Sequence, residues 1–126
     1  MAVPKLYMFY APIMRALIDG KIHSIDKISI DVAEDMLLSA STLAELLPSK
    51  RNTVFDHRVD GALKDLVNKG GFVEIVTPDH YRLTEEGRQL ASDPAAIESN
   101  NIRVEIALKE MKKAGEKIDE ILGKEY

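Results

Sequence analysis

The feature that most constrains this chain is a change of hydrophobic period at residues 70–71. Before it, Phe55, Val59, Ala62, Leu63, Leu66 and Val67 recur at three- and four-residue steps, which places them along one side of a helix. Thr53 or Asn52 supplies the N-cap and Gly70-Gly71 the stop. After it, Phe72-Val73-Glu74-Ile75-Val76-Thr77 is rich in β-branched and aromatic residues. Pro78-Asp79-His80 reads as a turn, and Tyr81-Arg82-Leu83-Thr84 returns as a second strand. A helix running into an isolated hairpin cannot stand alone in water, so the rest of the chain must supply the core.

The upstream half does so with helices. Leu6, Phe9, Tyr10, Ile13, Met14 and Leu17 predict a helix over 6–18 that Asp19-Gly20 ends. Pro12 removes a hydrogen bond from that pattern, which favours a start near Ala11 after an extended or looped segment. Residues 23–26 read as a short strand. Ile25, Ile28, Val32, Ala33 and Met36 predict a second helix with Asp26 as its N-cap, residues 41–47 a third short helix, and residues 48–52 a polar loop. Beyond the hairpin, Thr84 caps a last short helix, and Ser92-Asp93-Pro94 marks a boundary. The expected division is a domain over residues 1–93 and a C-terminal helix over 99–124. In that helix Val104, Ala107, Met111, Ala114, Ile118 and Ile121 alternate at steps of three and four, and Leu108 and Leu122 widen the stripe. This is a coiled-coil seam. It predicts a homodimer, against the alternative that the helix folds back on its own domain.

Composition excludes several chemistries. The chain has 126 residues, 45% apolar and 30% charged, and no cysteine. That balance belongs to one folded domain and leaves no disulfide, thiolate or Cys-based zinc site. Nothing in it resembles a signal peptide or an uninterrupted membrane span, so a cytoplasmic protein is expected. His23, His57 and His80 lie apart, with no Ser or Cys in a nucleophile motif, and no Gly-rich phosphate loop occurs. Met8, Met14, Met36 and Met111 fall on apolar faces and read as core, and Tyr7 and Tyr10 as core or interface residues. No enzyme activity, cofactor or metal is expected.

Helix, short strand, helix, short helix, helix and hairpin is the order of a winged helix-turn-helix. The expected fold class is mainly α with a small β-hairpin (α+β), followed by a long C-terminal helix. Four stretches carry a family resemblance. Val3-Pro4 with residues 9–17 and Asp19-Gly20, Leu47-Pro48-Ser49 before Asn52, residues 57–66, and Tyr81-Arg82-Leu83-Thr84-Glu85-Glu86-Gly87 are together similar to the N-terminal winged-helix domain of Mrr-type restriction endonucleases over about residues 3–91. In that family the third of these stretches reads Arg-Val-x-x-Ala-x-x-x-Leu and the last ends on threonine, two residues and glycine. The winged-helix order predicts binding of duplex DNA, as in transcription regulation, and the resemblance implies target recognition in a restriction system with a separate nuclease or regulatory partner, since a long helix is expected where that family carries its nuclease domain. Pro78-Asp79 and Glu110-Met111-Lys112 match the letters of that superfamily's metal-nuclease pattern. However, one falls in a hairpin turn and the other on a long helix, whereas the metal needs them on adjacent strands.

For duplex DNA the candidate contacts are Lys50, Arg51, Asn52, Thr53, His57, Arg58 and Lys64 on or before the third long helix, and His80 and Arg82 in the wing. Arg58 and Asn52 are types that read guanine and adenine edges. Lys50 and Thr53 suit phosphates at a helix N-terminus. The formal charge of −4 opposes this, but it is unevenly spread. Residues 1–51 hold six bases and six acids, 52–70 three and three, 71–93 two and five, and 94–126 six and seven. The acid excess therefore lies beyond the recognition helix. Asp56, Asp60, Asp65 and the acidic wing keep a second reading open, a winged helix used as a protein-interaction module.

Overall fold

The structure is a computed structural model that describes the backbone of residues 3–39 and 53–123 and the side chains of 3–39 and 53–116. A 3₁₀ turn, Leu6–Phe9, leads into helix α1, Tyr10–Ala16. Strand β1 is His23–Ser24, α2 is Ile25–Asp35, and α3 is Val54–Asp65, prolonged by a π-helical turn, Leu66–Gly70. The hairpin strands are β2, Val73–Thr77, and β3, His80–Leu83. Helix α4 is Glu85–Ala91 and α5 is Ser99–Gly123. This is the expected winged-helix order. The helix expected over 41–47 and the loop at 48–52 lie outside the described residues.

Local chemistry explains the boundaries. Pro12 is the third residue of α1, where an N–H has no intrahelical acceptor, so the ring costs the helix nothing. The cap of α2 is Ser24 and not Asp26. Ser24 has extended backbone, and its hydroxyl accepts from the Lys27 N–H at 3.2 Å. Buried Ile25 begins the helix two residues earlier than expected and leaves Asp26 inside the first turn. Gly71 closes the π turn with φ +68°, a conformation that favours glycine. The hairpin gains a third strand, because β1 pairs antiparallel with β3, giving the order β1-β3-β2. Val73 pairs with Leu83 and Ile75 with Tyr81, with a bulge before Thr77.

One core joins these elements. Phe9, Ile13, Met14 and Leu17 pack with Ile28 and Val32 of α2 and with Phe55, Val59, Leu63 and Leu66 of α3 and its last turn. The Phe9 and Phe55 rings meet tilted at 5.7 Å. Tyr10 is buried and donates to Asp65 at 2.7 Å. Burial, then that bond, push its pKa up. Two expected core methionines are instead exposed: Met8, at the edge of the 3₁₀ turn, and Met111, on the outer side of α5.

The C-terminal helix joins the core by a face that does not contain the seam. Ile97, Ile102 and Ile106 are buried, and Ser99 ties α5 to the first helix by accepting from the Ala11 N–H at 3.1 Å and donating to the Met8 carbonyl at 3.0 Å. Arg103 stands 4.2 Å over the Tyr7 ring. Val104, Ala107, Leu108, Met111 and Ala114 are all exposed. The side chains of Ile118, Ile121 and Leu122 lie outside the described residues. Ile102→Ala should therefore destabilise the domain itself, by about 2–5 kcal/mol in a denaturant melt, although the residue sits beyond the last hairpin.

Candidate nucleic-acid interface

The candidate interface is built on α3. Its apolar side, Phe55, Val59, Ala62, Leu63 and Leu66, enters the core. One flank is covered by the N-terminal segment. A β-carbon on Gly61 would meet the Leu6 side chain at 2.6 Å, so the glycine lets that segment close on the helix. Arg58, half-buried on the same flank, donates to the Pro4 carbonyl at 3.0 Å. His57, Lys64 and Asn68 are exposed, at a helical spacing that keeps them in one stripe along the row that also contains Gly61.

The expected contact residues therefore separate into groups. His57 and Lys64 share the open stripe. Thr53 is 9% exposed and works as the cap. Its hydroxyl accepts from the Asp56 N–H at 3.1 Å and donates to the Asp56 carboxylate at 3.0 Å, while that carboxylate also accepts the Thr53 N–H at 3.3 Å. Thr53 and Arg58 are thus engaged internally. Lys50, Arg51 and Asn52 lie outside the described residues. In the wing, Arg82 faces Glu74 across the two strands, with Nε donating to its carboxylate at 2.7 Å. The exposed His80 donates from Nδ1 to the Pro78 carbonyl at 3.0 Å.

The acids that oppose phosphate are also engaged. Asp56 completes the capping box. Asp65 accepts from Tyr10 and lies 3.7 Å from the Lys69 ammonium. Asp60, half-buried, has a partner as well. Asn68 was absent from the residues chosen on sequence. Its signal was available, one turn after Lys64 and three after His57, on the polar side of the helix just before the Gly70-Gly71 stop. The nuclease-like letters do not converge. Asp79 occupies the hairpin turn with φ +64°, and Glu110 is exposed on α5. Among the described residues, no three His, Asp or Glu side chains cluster in a way that could hold a metal ion. Nor is any described helix long and apolar enough to cross a membrane.

A three-helix core, a cap-defined helix with one open polar stripe and an adjoining three-stranded wing define the winged-helix class. Within it, the model of the Mrr N-terminal domain matches residues 7–93, from the first 3₁₀ turn to just past α4. The chain belongs to the Mrr N-terminal domain family, which makes this a restriction-system-related domain. No curated protein and no solved structure matches the chain. The capping analysis gives one expected outcome. Thr53→Ala should cost about 1 kcal/mol of stability, seen as a lowered denaturant midpoint with an unchanged slope.

Proposed function

We propose that this domain binds duplex DNA through the open stripe of α3, with the wing beside it, and that two copies pair through α5. The observation that carries the first part is the stripe itself. His57, Lys64 and Asn68 face solvent together, while Asp56 and Asp65 are bonded within the fold. A helix of this width enters a major groove. Lys50, Arg51 and Asn52 precede α3 in sequence and are proposed to extend the contact to phosphates and base edges. Thr53 and Arg58 are proposed to fix the helix's start and its covered flank.

The dimer rests on the two faces of α5. Ile102 and Ile106 enter the domain's own core, and the a/d positions Val104, Ala107, Met111 and Ala114 stay open with Leu108. A seam with a seven-residue repeat is self-complementary, so a second copy of the same helix is the occupant that fits it. Two copies would carry two α3 helices to two half-sites, as target recognition for a separate nuclease or as transcription control.

A protein-interaction role has its own support. Ile75 and Val76 are 56% and 37% exposed on the wing, where Glu74 neutralises Arg82. Duplex titration across salt concentrations separates the two readings. DNA binding predicts a log–log salt slope of about 2 to 4 for a few neutralised phosphates, reduced in His57→Ala/Lys64→Ala. No binding at low salt overturns it. The mass in solution should be that of a dimer, and Met111→Glu should return it to a monomer while leaving the domain folded.

A further inference from the structure

We infer that α5 carries a second phosphate-contacting surface, in which Lys112 and Lys113, with Lys69 at the end of α3, hold the backbone of the same duplex. The inference rests on the DNA-binding reading above and names a part of the contact that the winged helix alone does not supply. An open groove runs between the end of α3 and α5. Lys69, Lys109, Lys112 and Lys113 line it against Glu86 and Glu116. Four cations against two anions leave a local +2, in a chain whose total is −4.

The lysines are not equivalent. Lys109 is committed to the fold. Its ammonium meets both the Gly70 carbonyl and the Glu86 carboxylate and lies 4.3 Å over the Phe72 ring. It therefore ties α5 to the end of α3 and cancels the nearest acid of the groove. Lys112 and Lys113 follow it on the exposed part of the helix, with no partner among the described residues. Lys69, 54% exposed, has Asp65 only at 3.7 Å. Exposed ammonium groups on long stems act as point charges for phosphate and need no fixed geometry.

Two features favour a duplex backbone over a small anion or an acidic protein segment. The groove is open along its length, which suits a polymer. It also begins at Asn68, the last residue of the α3 stripe, so Lys64, Asn68, Lys69, Lys112 and Lys113 make one continuous run. Pairing through α5 leaves this run free, because Lys112 and Lys113 fall at heptad positions b and c while the seam takes a and d.

The experiment measures duplex affinity by fluorescence anisotropy at several salt concentrations for wild type, Lys112→Ala/Lys113→Ala and Lys112→Arg/Lys113→Arg. The alanine pair should lower the log–log salt slope by about 1.8, near 0.9 for each lost phosphate, and weaken all duplex sequences alike. The arginine pair should keep the wild-type slope, and light scattering should show both variants with the wild-type mass. An unchanged slope in the alanine pair, with wild-type binding still dependent on His57 and Lys64, overturns this inference alone. Preference of the groove for a polyglutamate peptide, lost in the alanine pair while duplex binding persists unchanged, overturns it too. A wild-type protein that binds no duplex overturns the parent reading and this one together.

Discussion

The fold depends on a clasp one helical turn deep between Gly71-Phe72 and Thr84-Gly87. The Thr84 hydroxyl donates to the Gly71 carbonyl at 2.6 Å and accepts the Gly87 N–H at 3.0 Å, and the Thr84 N–H donates to the Phe72 carbonyl at 3.0 Å. A β-carbon on Gly87 would come within 2.0 Å of the Phe72 carbonyl oxygen, so only glycine allows α4 to sit this close. The clasp joins the end of α3, the base of the hairpin and the start of α4. It therefore sets the direction of the wing relative to the helix. The threonine and glycine of the family-like ending in 81–87 have their physical reason here, as structural residues that orient a surface they do not form.

The same corner anchors α5. With Gly71 left-handed and Phe72 buried, the Gly70 carbonyl at the end of α3 is free of an intrahelical partner and meets the Lys109 ammonium, which also lies over the Phe72 ring. A cation there satisfies the orphan carbonyl and opposes the negative end of the helix dipole. The long helix is thus fixed at both ends of its packed section, by Ser99 at the first helix and by Lys109 at the clasp. On the proposed reading of a dimer this is consequential. Any rotation of the seam would be transmitted to α3 through packed side chains and not through a flexible linker.

What was legible in the sequence follows from how local each cause is. The Thr53 and Thr84 caps, the Gly71 stop and the hairpin depend on residues within a few positions of one another, and each was readable. The start of α2 was misread by two residues because Asp26 and Ser24 are both good caps, and the choice fell to the burial of Ile25. The Ile102–Ile106 face was hidden behind a stronger pattern on the same helix. The seam has a regular seven-residue repeat, whereas the face that packs on the domain has two isoleucines and a lysine whose partners lie far upstream, on the first helical segment, at Gly70 and at Glu86. Arg58 illustrates the same limit. Its type and place suggested a base contact, and nothing nearby in sequence announced that Pro4 would lie across its flank.

The charge of the chain takes a different meaning once partners are assigned. A count of three acids against three bases over 52–70 implies no attraction for phosphate. However, an acid that completes a cap or accepts a buried phenol has part of its field directed to its own donors, whereas His57 and Lys64 face solvent. Screening sharpens this difference, since at physiological salt exposed charges beyond about 8 Å contribute little. On the proposed reading, a phosphate near Lys64 or Lys112 therefore responds to the lysines of that run more than to acids beyond the screening distance. The total of −4 acts mainly on distant encounter. It disfavours indiscriminate coating of DNA and leaves close contact to a narrow strip of cations. On the proposed reading a single copy has few phosphates to neutralise, which is the physical reason the proposal pairs two copies on the same duplex.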